Sequence, residues 1–482
     1  MSGSSPISSG LANTIGPRAS PFWPPAGLDV EDAPLTWLRR HGAFIAILGL
    51  TFAWRLYFAL HWPVVQISDY QAYYDEARSL AGLTEGAYGA LNAWGPKLLY
   101  SVPMRVVGDD LRLLGAFNVL LYALSLVFLY AGARRIFGGA VATLTAVVCL
   151  FSLSEAYFTN LASTEVPGTL FMSVIFWLMT YETTPRPLAA LGVVIGLAAY
   201  NRSNMLVFPG LIFLYEAART RRTRVPLRKA AIVQGIVVIA ILPLCLLNKH
   251  HFGRFSPVIA NSAALWWGNN PRLSGDFHSY PPTPEDLPPG SAEREKLVRE
   301  YSPFYVNPDP SMEFRTMKPH DVSDVRTRYA LGWIRQNPMR YLQLIKARVV
   351  HLFWSCTYGE VPYREYDANN PKQPRWRPAH ERLIERARLP IRSLYRVLIS
   401  MALVGAVLTL VRHRGDARVA LPLMIVAWYS VPFLLTAAAN RYKIPVLGLC
   451  WIYVASGLVV AAEAVSRSLR RLDPRRAPTA KT

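Results

Sequence analysis

The feature that most constrains this chain is a series of long apolar stretches, too many and too evenly spread to form the core of one water-soluble domain. A helix needs roughly 20 mostly apolar residues to cross about 30 Å of hydrocarbon, where every backbone polar group must find a partner within the protein. Gly42 to His61, Leu111 to Ala133, Gly138 to Tyr157, Val166 to Tyr181, Ala230 to Asn248, Leu394 to Val411, Val419 to Ala438 and Ile444 to Ala464 meet or approach that length. The apolar region from Leu188 to Glu216 is too long for one span. It is interrupted by Asn201-Arg202-Ser203-Asn204 and by Pro209-Gly210, so it reads as two short helices meeting at a polar bend. The expectation is an all-α polytopic membrane protein with about ten transmembrane helices.

Composition agrees, with 52% of the 482 residues hydrophobic and only 17% charged, less charge than a soluble protein of this size carries. The net charge of +21 invites a nucleic-acid reading, but its placement argues against one. The basic residues gather beside span ends, at Arg39-Arg40, Arg134-Arg135, Arg219 to Lys229, Arg412 with Arg414, and Arg467 to Arg476. With both termini in the cytoplasm, each cluster falls on the cytoplasmic side, as the positive-inside rule requires. The charge then sets orientation, and no nucleic-acid partner is expected. Recruitment of anionic lipid or a partner by Arg219 to Lys229 is a secondary reading.

This topology divides the chain into a disordered cytoplasmic tail (1–41), seven spans (42–248) that enclose a first external segment (62–110), a large external or periplasmic segment (249–391), three further spans (392–464) and a basic cytoplasmic tail (465–482). The first apolar stretch is long, starts late and lacks a cleavage pattern, so it reads as a retained anchor in a cell (inner) membrane. Of four cysteines, Cys149, Cys245 and Cys450 lie in apolar spans and Cys356 in the large external segment, which predicts no disulfide framework or zinc site.

Chemistry on the outer face must draw on the two external segments. In the first, Ser68 stands three residues before Gln71, and Tyr70, Tyr73, Tyr74, Ala77, Leu80 and Ala81 recur at helical spacing. This predicts an amphipathic helix on the membrane surface with Asp75, Glu76 and Arg78 toward water. In the second, a Pro-rich loop is expected from Pro281 to Pro289, then a helix from Asp321 that stops near Asn337-Pro338 and restarts from Tyr341 through Phe353.

Asp69, just beyond the first span, sits at lipid-headgroup depth and is a candidate general base, although an acid there also favours a helix dipole. Glu165, near the outer start of a span, falls on the same face. The two carboxylates are candidates for a shared divalent cation or for divided acid and base roles, while Ser163, Thr164 and Pro167 make Glu165 equally readable as part of a helix start. Lys97, Arg202 and Arg441 are predicted at that face too. Ionisable residues near a membrane interior point to function, though snorkelling arginines at span ends are common. Converging acids and bases suit activation of a nucleophile beside a neutralised phosphate. No Gly-rich nucleotide loop or His/Cys cluster with metal spacing is present.

The order of these residues resembles the GT-C membrane glycosyltransferases, and within them the family 39-like group related to protein mannosyltransferases and lipid A aminoarabinose transferases. The likeness rests on Ser68-Asp69-Tyr70 with Tyr74 and Ala77-Arg78-Ser79-Leu80, Glu165 before a span and the bend at Arg202. Leu265-Trp266-Trp267-Gly268-Asn269-Asn270-Pro271, Ile334-Arg335-Gln336-Asn337-Pro338 and Asn440-Arg441-Tyr442-Lys443-Ile444-Pro445 extend it. It covers most of the chain from about residue 42 to residue 464. The resemblance implies a sugar donor on polyprenyl phosphate, a hydroxyl acceptor, inversion at the anomeric carbon, Asp69 as general base, and Arg202 and Arg441 on the leaving phosphate. Lys97 would also meet the donor phosphate, but the double proline that follows this lysine in some relatives is missing here. Some relatives use a divalent cation, for which Asp69 and Glu165 would be the ligands. A lipid or solute transporter and a non-catalytic assembly subunit are the alternative classes.

Overall fold

The computed structural model describes residues 33–61, 64, 66, 69–86, 93–181, 185–259, 262–271, 287–288, 290–301, 319–357, 365–367, 370–375 and 378–472. The chain divides into two compact units, residues 1–46 and 47–482. Of the first, only the start of helix α1 (Ala33–His61) is described, and the remaining elements all belong to the second.

Helices dominate because the apolar stretches leave the backbone no partner but itself. After α1 come α2 (Asp69–Leu80), α3 (Trp94–Val107), α4 (Leu111–Phe137), α5 (Gly139–Phe151), α6 (Leu153–Ala156), α7 (Glu165–Met179), α8 (Pro185–Asn201), α9 (Phe208–Thr220) and α10 (Arg224–Phe252). Helices α11 (Ser262–Gly268), α12 (Ala292–Tyr301), α13 (Pro319–Gln336) and α14 (Pro338–Trp354) come next, and then α15 (Pro378–Arg412), α16 (Ala417–Leu435) and α17 (Ile444–Leu472). An antiparallel pair, β1 (Glu365–Asp367) with β2 (Asn370–Arg375), departs from the all-α expectation.

Among the described residues, six helices are long and apolar enough to cross a membrane: Arg40–His61, Leu111–Phe137, Arg224–Phe252, Arg386–Arg412, Ala417–Leu435 and Asn440–Leu469. Gly139–Phe151 and Glu165–Met179 are shorter apolar helices. The chain is thus a multi-pass membrane protein. The last of the six is the most central, with 72% of its apolar window buried against 33% for Arg224–Phe252. Helix α17 packs most extensively on α15, where Gly405 and Gly457 bring the two backbones together: a Cβ added at Gly457 would lie 2.7 Å from the Gly405 Cα. Small residues permit such crossings in lipid, where no hydrophobic force drives helices together.

The polar bend is present. Helix α8 ends at Asn201, Arg202 is extended (φ −152°, ψ 121°), a 3-10 turn runs Ser203–Val207 and α9 begins at Phe208. In the segment expected to be the second external one, α13 and α14 flank Asn337, which with the proline after it separates the two helices. Ser68 lies outside the described residues, as does the Pro281–Pro289 stretch apart from residues 287 and 288.

Candidate active site

Four charged side chains meet where helices begin or break. Asp69 opens α2, Glu165 opens α7, Arg202 occupies the break between α8 and α9, and Arg441 lies on the 3-10 turn Asn440–Lys443 between α16 and α17. The two arginines share Glu165: Arg202 Nη2 is 2.7 Å from Oε1, and Arg441 Nε is 3.9 Å from the same oxygen. Arg441 also forms an ion pair with Asp69 and donates to the Tyr70 hydroxyl at 2.5 Å. Arg202 donates to the Thr164 hydroxyl at 2.6 Å. The exposures differ sharply, the Asp69 side chain being 47% exposed and that of Glu165 only 2%.

Aromatic rings wall the cluster. The Arg202 guanidinium lies 4.9 Å from the Tyr442 ring centre and 5.7 Å from that of Phe433, and Arg441 lies 5.1 Å from Tyr70 and 5.6 Å from Tyr442. Tyr442 and Phe433 stack at 4.7 Å. Such contacts stabilise a cation that has lost part of its water. Burial pushes the Tyr70 and Tyr73 phenols up, so both stay neutral.

Glu165 is held in place by an irregular stretch of buried backbone. Helix α5 stops at Phe151, short of the expected Tyr157, and residues 152–164 run through a short helix, a 3-10 turn and a loop before α7. Backbone of this kind is tolerated at depth only when the protein satisfies it. Gln66 donates to the Asn160 carbonyl (3.0 Å) and accepts from the Ala162 N–H (2.8 Å), and Asn118 donates to the Leu161 carbonyl (2.9 Å). The Tyr100 hydroxyl donates to the Ser163 carbonyl (2.9 Å) and accepts its N–H (3.2 Å), and Asn201 donates to the Thr164 carbonyl (2.9 Å). At the far end, Glu155 accepts from Tyr122 (3.0 Å), Ser152 (3.1 Å) and the Trp451 indole (3.3 Å). The Thr164 side chain makes no cap bond for α7. It serves the charged cluster instead, so this is more than an ordinary helix start.

Arg441 is positioned from α14 and the residues that follow it. Asn440 donates to the Cys356 carbonyl at 3.3 Å, and Lys443, fully buried, donates to the Ser355 carbonyl. Upstream, Arg348 of α14 reaches the Leu434 carbonyl (2.9 Å), Asn269 Oδ1 (2.9 Å) and the Gly268 carbonyl. The Trp266-Trp267-Gly268-Asn269 motif therefore grips the end of α16. Gly268 faces the Thr436 backbone there too closely for any side chain.

Lys97 stands apart from this cluster. It is fully buried in an ion pair with Glu76 and lies 4.5 Å from the Trp94 ring centre. Burial pulls its ammonium below the usual lysine range, while the bond and charge of Glu76 oppose that shift. Helical spacing points Glu76 toward water, but the packing of α3 on α2 turns it inward. Seven residues separate it from Asp69, about 10 Å along the helix. The structure thus brings together Asp69, Glu165, Arg202 and Arg441, and puts Lys97 with Glu76. Sequence reasoning missed Gln66, Tyr100, Asn118 and Asn201; a polar residue inside an apolar stretch, as Asn118 is, was the available signal.

The cluster does not fit a divalent cation. Glu165 is already bracketed by two guanidiniums, which would repel a metal ion, and no group of three or more His, Cys, Asp or Glu suited to a metal occurs among the described residues.

Residues 95–246 match the family model described as dolichyl-phosphate-mannose-protein mannosyltransferase, one of the groups whose likeness the sequence carries. The chain therefore resembles the GT-C, family 39-like transferases both in its motifs and in this match. No curated protein matches it significantly. Among solved structures it is similar to the oligosaccharyltransferase of Archaeoglobus fulgidus tethered with an acceptor peptide, at 11% identity and TM-score 0.49, over 91% of this chain and 52% of that one. It is also similar to ArnT from Cupriavidus metallidurans bound to undecaprenyl phosphate, at 13% identity and TM-score 0.40, over 91% of this chain and 82% of that one. The chain spans about half the length of the archaeal oligosaccharyltransferase.

Proposed function

We propose that this protein is an inverting glycosyltransferase that moves a hexosyl or pentosyl group from a polyprenyl-phosphate-linked donor to a hydroxyl acceptor on the external face of the membrane. The observation that carries the reading is a half-exposed carboxylate, Asp69, at the rim of a partly buried arginine pair that brackets a buried Glu165. The family match over residues 95–246 supports the class of donor.

In this reading the acceptor hydroxyl gives its proton to Asp69, and its oxygen attacks the anomeric carbon from the face opposite the phosphate. The bond from that carbon to the phosphate oxygen breaks, and the electron pair leaves with the polyprenyl phosphate. Arg202 and Arg441 stabilise the departing anion, a contribution that grows where water is excluded. Lys97 holds α2 through Glu76 rather than touching the phosphate. With ten spans and both termini cytoplasmic, the cluster faces outside, where nucleotide sugars are absent and a lipid-borne donor is required.

Reconstitution in lipid with a panel of polyprenyl-phosphate sugars tests this, with released polyprenyl phosphate followed by mass spectrometry. Wild-type protein should release it and Asp69→Asn should not, although both insert normally. Wild-type turnover in the variant would remove Asp69 from its role.

A further inference from the structure

We infer that the two carboxylates of the cluster have different duties: Glu165 is a fixed positioning residue for the arginine pair, and Asp69 is an exchangeable occupant of Arg441 that the phosphate of the lipid donor displaces. The inference rests on the function proposed above and adds to it how the site is held ready and how binding frees the base.

Two guanidiniums this close repel each other and need an anion between them. Glu165 provides it. Its Oε1 contacts both arginines, Oε2 lies 3.3 Å from the Thr164 hydroxyl, and the side chain is closed off from solvent. The residues before it are tied to α3, α4 and α8 through Tyr100, Asn118 and Asn201, so this carboxylate cannot swing away without breaking several buried bonds. Glu165 thus acts through the arginines.

Asp69 has the opposite surroundings. It lies on the first turn of α2 and is open to solvent over nearly half its side chain, so water can solvate it when Arg441 is given up, which the closed-off Glu165 cannot match. The four charges sum to zero, two carboxylates against two guanidiniums. A phosphate entering this neutral group adds negative charge, and the carboxylate that yields is the exposed one. Arg441 then holds phosphate in place of Asp69, and the released carboxylate faces the acceptor hydroxyl. Donor binding and availability of the base become one event, which favours donor before acceptor. By reciprocity, whatever weakens the Asp69–Arg441 pair must strengthen phosphate binding.

The test measures binding of undecaprenyl phosphate to the full chain in lipid nanodiscs, alongside turnover. Asp69→Asn should bind roughly fivefold more tightly than wild type while losing turnover, since removal of an exposed ion-pair partner removes a competitor. Glu165→Gln should bind at least about tenfold more weakly, because the arginines lose the charge that aligns them. Glu165→Asp, which keeps the charge, should recover part of that loss and show that the variants fold. Weaker binding by Asp69→Asn would overturn the exchange, and tighter binding by both Asp69→Asn and Glu165→Gln would show the carboxylates to be interchangeable. Absence of binding in wild type would instead remove the proposed function and the exchange with it, an outcome distinct from either reversal.

Discussion

At the scale of single residues, Glu76 shows how far sequence spacing carries and where it stops. Helical periodicity places Asp75, Glu76 and Arg78 on a polar face, and Asp75 does reach water. Glu76 does not, because α3 lies against α2 and presents a fully buried ammonium to it. That juxtaposition is a tertiary fact absent from any local pattern. A buried ion pair is costly to break and often cheap to replace whole. Glu76→Gln alone is therefore expected to destabilise the protein by about 3 kcal/mol, and the double change Glu76→Leu with Lys97→Met to recover most of that loss. Thermal unfolding in detergent measures both. Donor turnover should persist in the double variant, since Lys97 serves α2. Loss of turnover in a well-folded double variant would return Lys97 to the phosphate. Asp69, Glu165, Arg202 and Arg441 were all legible as candidates, Arg202 because it interrupts an apolar region and the others because they are charged residues beside span ends, but their pairing was not.

At the scale of elements, function is concentrated where regular structure fails. The apolar stretches located the long helices closely, since hydropathy reports a solvent and every turn of a lipid-facing helix obeys it. The bend at Arg202 was legible because four polar residues cannot continue an apolar helix unaided. The end of α5 at Phe151 was not: Leu153, Ala156, Phe158 and Leu161 keep the stretch apolar to the eye. The backbone of residues 160–164 stays out of a helix with Gln66, Asn118, Tyr100 and Asn201 as its partners, and these side chains are remote in sequence. Tyr100 is the most economical test of this clamp, because its hydroxyl meets both the N–H and the carbonyl of Ser163. Removing one buried partner costs about 1–3 kcal/mol. Tyr100→Phe should therefore lower stability by about that amount and reduce turnover through misplacement of Glu165, with binding of undecaprenyl phosphate weakened in parallel. Unchanged turnover and binding beside reduced stability would confine Tyr100 to folding.

At the scale of the whole molecule, the cluster depends on parts of the chain far apart in sequence. Arg441 reaches Asp69 and Tyr70 across some 370 residues, and its own turn is tied to α14 and the residues after it through Ser355, Cys356 and the grip of Arg348 on the end of α16. That arrangement makes sense only if α2, the 440–443 turn and α14 share one side of the membrane. By the positive-inside rule, the basic clusters at Arg134-Arg135, Arg219 to Lys229 and Arg412 with Arg414 would put the opposite side in the cytoplasm. Orientation is therefore a prediction with two handles. Glu85, exposed in the turn after α2, should face outward, and Arg414, exposed between α15 and α16, should face the cytoplasm. The four native cysteines are buried, so background labelling is low. In intact cells a membrane-impermeant maleimide should modify the Glu85→Cys variant and spare the Arg414→Cys variant until the membrane is permeabilised. Labelling of both in intact cells would break the ten-span count, because that count puts an odd number of crossings between the two positions and labelling of both requires an even one. The reverse pattern would turn the cluster toward the cytoplasm, where nucleotide sugars are at hand and the case for a lipid-borne donor loses its physical basis.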